Sequence, residues 1–401
     1  MVSPPEKYAA QPWKAYVVTY FLLTTLMTGT LPSPLYGDYA ALLGIPPFHI
    51  SLLFSIYAVA IIACLAFFTI KILGMRANSA NNLAILLCVT SNFLFALNSS
   101  YEILLIARAL SGIAVGMAVT IAPTLIRANQ PNHRYSSSLI NLGVMFGLGT
   151  GALQTGLIAF LSPHHWITFA IHSIYFVPAA ILKEPFQSGA FRNSAATTST
   201  LSNRSKLPLT VCCVLVFSAY AFFGVFSALF GNFIHENSDL NPYLSCGISI
   251  FFIFSSAALI PLTISSPPKK YTLFFLSLLC LTSLAIIKKS LDESISLLLF
   301  FAVLLGGATS GSILKSSLVL ISNVFPLESA ERATSKLFLT AYTGLVVPTV
   351  AIGYFIDQLG IHTAINIYLS TLVAQTGVVA ILLYWTDPEI FAQRDAVHAK
   401  R

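Results

Sequence analysis

The chain alternates long apolar runs with brief polar breaks, and only one polar stretch is long: Lys183 to Pro208, KEPFQSGAFRNSAATTSTLSNRSKLP. Apolar runs of about 18 to 25 residues suit helices that cross a bilayer, whereas barrel strands need about half that length. Taking Pro, Gly and charge clusters as breaks, the pattern predicts spans at 14–36, 49–70, 80–98, 101–124, 137–161 and 165–182 before the polar stretch. After it come 208–233, 243–264, 271–288, 294–322, 335–357 and 361–385. The expected fold is an all-α membrane protein of about twelve transmembrane helices in two pseudo-symmetric six-helix bundles. The expected divisions are an N-terminal bundle over 1–183, a cytoplasmic linker over 184–207, a C-terminal bundle over 208–388 and a cytoplasmic tail over 389–401.

A weak internal repeat supports two equivalent halves. RANQPNHRYSSSL follows the fourth span and ISNVFPLESAERATSKL the tenth; each has Pro, then Arg, then small polar residues, and each leads into a helix containing glycine. The polar stretch is then a tether between bundles, Ser/Thr-rich and poor in aromatics, with a short interfacial helix expected around Phe186 to Phe191.

Composition removes the soluble alternatives. Only 9% of the 401 residues are charged and 56% are hydrophobic, with a mean hydropathy of +0.81. The net charge of +7 is spread singly between apolar runs, so it reads as a topology signal and not as a nucleic-acid surface. With the N-terminus in the cytoplasm, the inner side collects nearly every basic residue and the outer side keeps only Lys288 and Lys289. The first run ends in LPSPLYGDY without a small-residue cleavage site, and so is expected to be a span and not a signal peptide. Six cysteines lie in or beside apolar segments with no CxxC pair, which suits small buried hydrophobes and points to no metal or cofactor.

Arg108 and Lys315 are the two basic residues inside predicted spans. A charge there is costly, by roughly 2.5 kcal/mol or more. Arg108 therefore either faces a wet cavity or a partner, or reaches the outer interface; Glu102, six positions away, is poorly spaced to pair with it on one helix face. Lys315 is open to snorkelling or to an inter-helix role. Asp38, Glu102 and His172 are the titratable candidates for a proton path, each also readable as an interface group or a bonded core histidine. Tyr36, Asn141, Gln154, Tyr220, Phe223, Asn232 and Tyr342 could line an amphipathic cavity, or serve as packing. Gly112 and Gly116, with Gly143, Gly147 and Gly151, are spaced for close helix crossing and for an element that shifts between packed arrangements. No GxxxxGKS/T loop, HExxH helix or GxSxG elbow occurs, so the chain is not expected to be an enzyme or an ATP-driven pump.

Six spans, a basic middle and six more resemble the major facilitator superfamily over nearly the whole chain. PSPLYGDY is similar to a sequence common in one bacterial group, and RALSG, from Arg108 to Gly112, resembles the family's fourth-helix motif. The loop FFTIKILGMRA keeps Gly74 and Arg76 of the family's second-to-third-helix signature, but carries Phe67 in place of Gly and Lys71 in place of the Asp that latches the halves. Gly147 is followed by Leu148 where the antiporter motif has Pro. The resemblance implies a monomeric transporter of the bacterial inner membrane that exchanges protons for a small, amphipathic molecule, with Arg108 as its embedded arginine. Uptake of an organic solute, or a sensor without flux, are the alternatives.

Overall fold

The computed structural model describes residues 11–68, 76–97, 99–130, 133–186, 203–237, 241–263, 270–293, 296–324 and 327–385, at several helix ends by backbone alone. Among these residues the regular structure is entirely helical. The first half comprises α1 (Pro12–Met27), α2 (Tyr36–Leu43), α3 (Pro47–Ala63), α4 (Ala77–Leu97), α5 (Tyr101–Asn129), α6 (His133–Asn141), α7 (Gly147–Leu161), α8 (Trp166–Ile174) and α9 (Val177–Ile181). Wide π turns extend α3 over Cys64–Phe68 and join α6 to α7 over Leu142–Phe146. The second half comprises α10 (Asn203–Asn237), α11 (Pro242–Thr263), α12 (Lys270–Glu293), α13 (Ser296–Val324), α14 (Leu327–Leu359) and α15 (Ile361–Tyr384).

 

Short signals set the boundaries. Gly44 takes the left-handed conformation, φ 62°, that closes α2, and the Pro46–Pro47 pair opens α3. Ser100, in extended backbone, accepts the Ile103 N–H and caps α5. Gly360, φ 77°, turns α14 into α15.

Among the described residues, ten helices are long and apolar enough to cross a membrane. The first and sixth expected spans depart from the continuous helices predicted at 14–36 and 165–182. In the first, α1 stops at Met27 after 16 residues, and turns containing Gly29, Pro32 and Pro34 lead into α2. Prolines cannot donate to the preceding turn, so TGTLPSP cannot stay in one regular helix. In the sixth, Pro178 opens α9 after a turn at Tyr175–Phe176. Of the tether, Phe186 lies in a 3-10 turn, Glu184–Phe186, and is buried against Phe21, with ring centroids 5.5 Å apart. Residues 187–202, and with them the rest of the expected interfacial helix, lie outside the described residues.

Successive spans alternate in direction. The Tyr101 hydroxyl donates to the His49 carbonyl (2.9 Å) at one end of the bundle, while the Tyr16 and Tyr135 hydroxyls meet at 2.9 Å at the other, where α1 begins.

Each half is cut by two glycine seams of matching design. Gly112 on α5 lies so close to α3 that a Cβ there would strike the Tyr57 carbonyl, and Gly307 on α13 stands in the same relation to the Ile253 carbonyl of α11. Four residues on, Gly116 packs on Cys64 and Gly311 on Ala257. In the second seam, Gly147 presses on the Leu23 carbonyl of α1, and Gly344 of α14 on the Phe217 carbonyl of α10. Lipid tails are as apolar as leucine, so helices associate here through close backbone approach and interhelical hydrogen bonds. The halves meet where α7 runs along α11 and α3 along α14.

Candidate functional site

The break after α1 exposes backbone carbonyls inside the apolar part of the bundle, where no water can satisfy them. Arg108, which α5 carries at the level of this break, supplies the donors. Its Nη1 donates to the carbonyls of Thr28 (3.2 Å) and Gly29 (2.9 Å), and its Nη2 to the Tyr36 hydroxyl. A cation at the end of α1 also meets the negative end of that helix's dipole. The guanidinium lies 5.4 to 5.8 Å from the ring centres of Tyr36, Phe54, Tyr57 and Phe95 and has no exposed surface. Arg108 is therefore enclosed and held by a neighbouring helix break, not by a wet cavity, the outer interface or Glu102. Glu102 stands exposed in the first turn of α5.

Asp38 lies in the first turn of α2, close to the second half. The Tyr243 hydroxyl of α11 donates to its Oδ1 (2.8 Å), and His165 Nδ1 stands 3.0 Å from its Oδ2. Nearby, Asp357 of α14 accepts the Phe48 backbone N–H of α3 (3.2 Å), so each half sends one carboxylate to the other. Close packing accompanies these contacts: a Cβ at Gly156 would sit 2.7 Å from the Tyr243 carbonyl and 3.0 Å from Gly247 Cα, and one at Gly353 would sit 2.7 Å from Ser51 Cβ. Across the seam Phe146 meets Phe251 at 5.6 Å, while within the second half Tyr220 meets Phe223 and Tyr342 edge to face at 5.7 and 5.9 Å and Phe223 stacks on Phe254 at 4.9 Å.

The remaining sequence candidates separate into distinct settings. His172 is buried within the first half: its Nε2–H donates to the Thr24 carbonyl (2.9 Å), so its Nδ1 accepts from the Asn92 amide (2.9 Å). That network ties α8 to α1 and α4. Gln154 Nε2 donates to the Thr168 carbonyl (2.9 Å), joining α7 to α8, whereas Asn141 Nδ2 crosses between halves to the Ala258 carbonyl (3.1 Å). Lys315 Nζ donates to the Pro261 carbonyl, linking α13 to α11. Gly143 packs on Leu22 and Gly151 on the Met27 carbonyl, both on α1. Arg76 is exposed ahead of α4, while Lys71, Gly74 and the Asn232 side chain lie outside the described residues.

His165, Tyr243 and Tyr57 were absent from the sequence candidates. His165 and Tyr243 each stand beside a turn, where ring residues read as interface anchors, so only their approach to Asp38 distinguishes them. A cleft of about 510 Å³, lined by Tyr20, Met27, Gln154, Leu157 and Tyr175 among others, lies within the first half and touches neither the Arg108 cage nor the seam. Among the described residues no group of three or more His, Cys, Asp or Glu side chains is arranged to hold a metal ion.

A family model described as Major Facilitator Superfamily matches residues 17–288. No curated protein matches the chain. Among solved structures, the chain is similar to the nucleoside transporter NupG, with a TM-score of 0.74 at 14% identity, covering 92% of this chain and 99% of that one. It is also similar to a bacterial homolog of the human lysosomal transporter Spinster, with a TM-score of 0.70 at 11% identity, covering 94% and 98% of the two chains. At these identities the likeness is one of fold.

Proposed function

The chain belongs to the Major Facilitator Superfamily, and from that premise we propose that this secondary transporter carries a small amphipathic molecule outward in exchange for protons. The way the two halves meet carries this reading. They pack along two helix pairs, α7 on α11 and α3 on α14, and at one end of that seam each half sends a carboxylate to the other, Asp38 to Tyr243 and Asp357 to the Phe48 N–H. Two helix bundles joined in this way suit alternating access around a site near the midplane. Tyr220, Tyr342 and Phe223 offer ring faces and hydroxyls to an amphipathic solute.

In this proposal both termini and the 184–207 tether are cytoplasmic, following the bias of Lys and Arg, the membrane is a bacterial inner membrane, and one chain suffices. Asp38 supplies a titratable group at the end of the seam that then faces outward. Purified protein in liposomes carrying an inward proton gradient tests the direction, with an amphipathic aromatic dye as probe. Dye leaving the cytoplasm-equivalent side supports exchange. Accumulation on that side would mean uptake, and binding without flux would mean a sensor.

A further inference from the structure

We propose that Asp357 is a removable helix cap: the second half supplies the N-terminal acceptor that α3 lacks in its own sequence, and this cap holds the halves together at one end of the molecule. The inference adds a gating residue to the proposed transport cycle, and rests on that reading only in taking the surface between α3 and α14 to be one that parts.

A helix start leaves backbone N–H groups without intrahelical partners, and at α3 each can be followed to its acceptor. Pro47 has no N–H. The His49 and Ile50 N–H groups donate to the Pro46 carbonyl, at 2.9 and 3.3 Å. Phe48 remains, and the residue at the capping position, Pro46, has no side-chain acceptor to offer it. Asp357 Oδ2, from the other half, accepts this N–H at 3.2 Å. A carboxylate there also meets the positive end of the α3 dipole. Its neighbours on α14 fix the approach: the Tyr354 ring meets the Phe48 ring edge to face at 6.2 Å, and a Cβ at Gly353 would lie 3.3 Å from Phe48 Cα.

The matching crossing, α7 on α11, is built without this dependence. Gly156 follows Gly147 by nine residues as Gly353 follows Gly344, and it presses on α11 at the Tyr243 carbonyl and Gly247 as Gly353 presses on α3. There, however, the Leu244 N–H donates to Asn241 Oδ1 (3.0 Å), a cap from the start of the same helix. The position equivalent to Asp357, thirteen residues after Gly147, is the exposed Phe160. When the halves part, α11 keeps its cap and α3 loses one. The Asn241 cap therefore favours neither arrangement, whereas the Asp357 cap exists only with this end closed and adds its whole contribution to that state.

The test is double electron–electron resonance on the full chain in lipid nanodiscs without substrate. Labels replace exposed Leu97 on α4 and exposed Leu297 on α13, introduced as non-natural residues so that the native cysteines remain. Asp357→Ala should raise the ratio of longer to shorter distances about fivefold, the size expected for one lost cap, while Asp357→Asn, which keeps a capping oxygen, should stay near the unaltered protein. Pro46→Asn gives α3 a cap of its own in backbone already extended for one (φ −74°, ψ 164°). It should raise the ratio too, and in that background Asp357→Ala should add little. An unchanged ratio in Asp357→Ala overturns the proposal, as does equal opening in Asp357→Asn or an undiminished effect of Asp357→Ala beside Pro46→Asn. Absence of dye flux in liposomes would sink the transport reading alone, because the distance measurement involves no substrate.

Discussion

The two halves share their glycine seams and differ at the position just before them. Gly112 and Gly116 in α5 correspond to Gly307 and Gly311 in α13, each pair four residues apart and each pressed on a neighbouring helix. Four residues before the first glycine of each pair stands Arg108 in one half and Val303 in the other, both fully buried. The helix facing each position explains the difference. In the first half α1 stops after 16 residues and leaves carbonyls to be satisfied, whereas α10 of the second half is unbroken over 35 residues. A buried arginine is thus placed where a helix break needs donors, and a valine suffices where the backbone satisfies itself.

The most damaging way to probe this correspondence is to fill both seams. Gly112→Leu and Gly307→Leu each force a side chain into a carbonyl of the adjacent helix, and each should cost about 3 kcal/mol or abolish folded yield. Size-exclusion profiles and thermal unfolding in detergent would measure this, and a mild effect in only one half would break the equivalence. Next in size is the exchanged position. Arg108→Met leaves the Thr28 and Gly29 carbonyls without their donor and should destabilise by about 2 to 4 kcal/mol, while Val303→Met should cost less than about 1.5 kcal/mol. Equal losses would show that Arg108 does not clamp the break.

The smallest effect is expected at the surface of the second half, where Asp292 bonds Lys288 (2.9 Å) and lies 3.2 Å from His362. The Lys288 hydrogen bond holds the Asp292 carboxyl below the usual carboxylate range. Any stability it adds is present at neutral pH and lost only as pH falls through that lowered value. Because the group is exposed, Asp292→Asn should leave the melting temperature at neutral pH unchanged.

Much of this was legible along the chain, for reasons that particular residues illustrate. Arg108 stood out because a charge within an apolar span must be paid for in hydration free energy, and the glycines because their spacing places them on one helix face. Their partners were not legible. Arg108 binds carbonyls 79 and 80 residues away in sequence, in a segment that hydropathy alone reads as one continuous span. Backbone carbonyls carry no residue type, so no pattern announces them. Tyr36, read as a cavity candidate, accepts a hydrogen bond from that arginine, and His172, read as a proton carrier or a bonded core residue, is hydrogen-bonded to the Thr24 carbonyl.

The sequence by itself determined the membrane, the helical class and the approximate limits of the spans, because burial in lipid demands long apolar runs whose backbone bonds close internally. Only the tertiary structure decided that the first span breaks beside Arg108, that Asp38 meets His165 and Tyr243, and that the glycine seams repeat between halves. Those facts depend on which helix faces which, and in a chain where nearly every face is apolar, hydropathy does not distinguish the face that meets lipid from the face that meets protein.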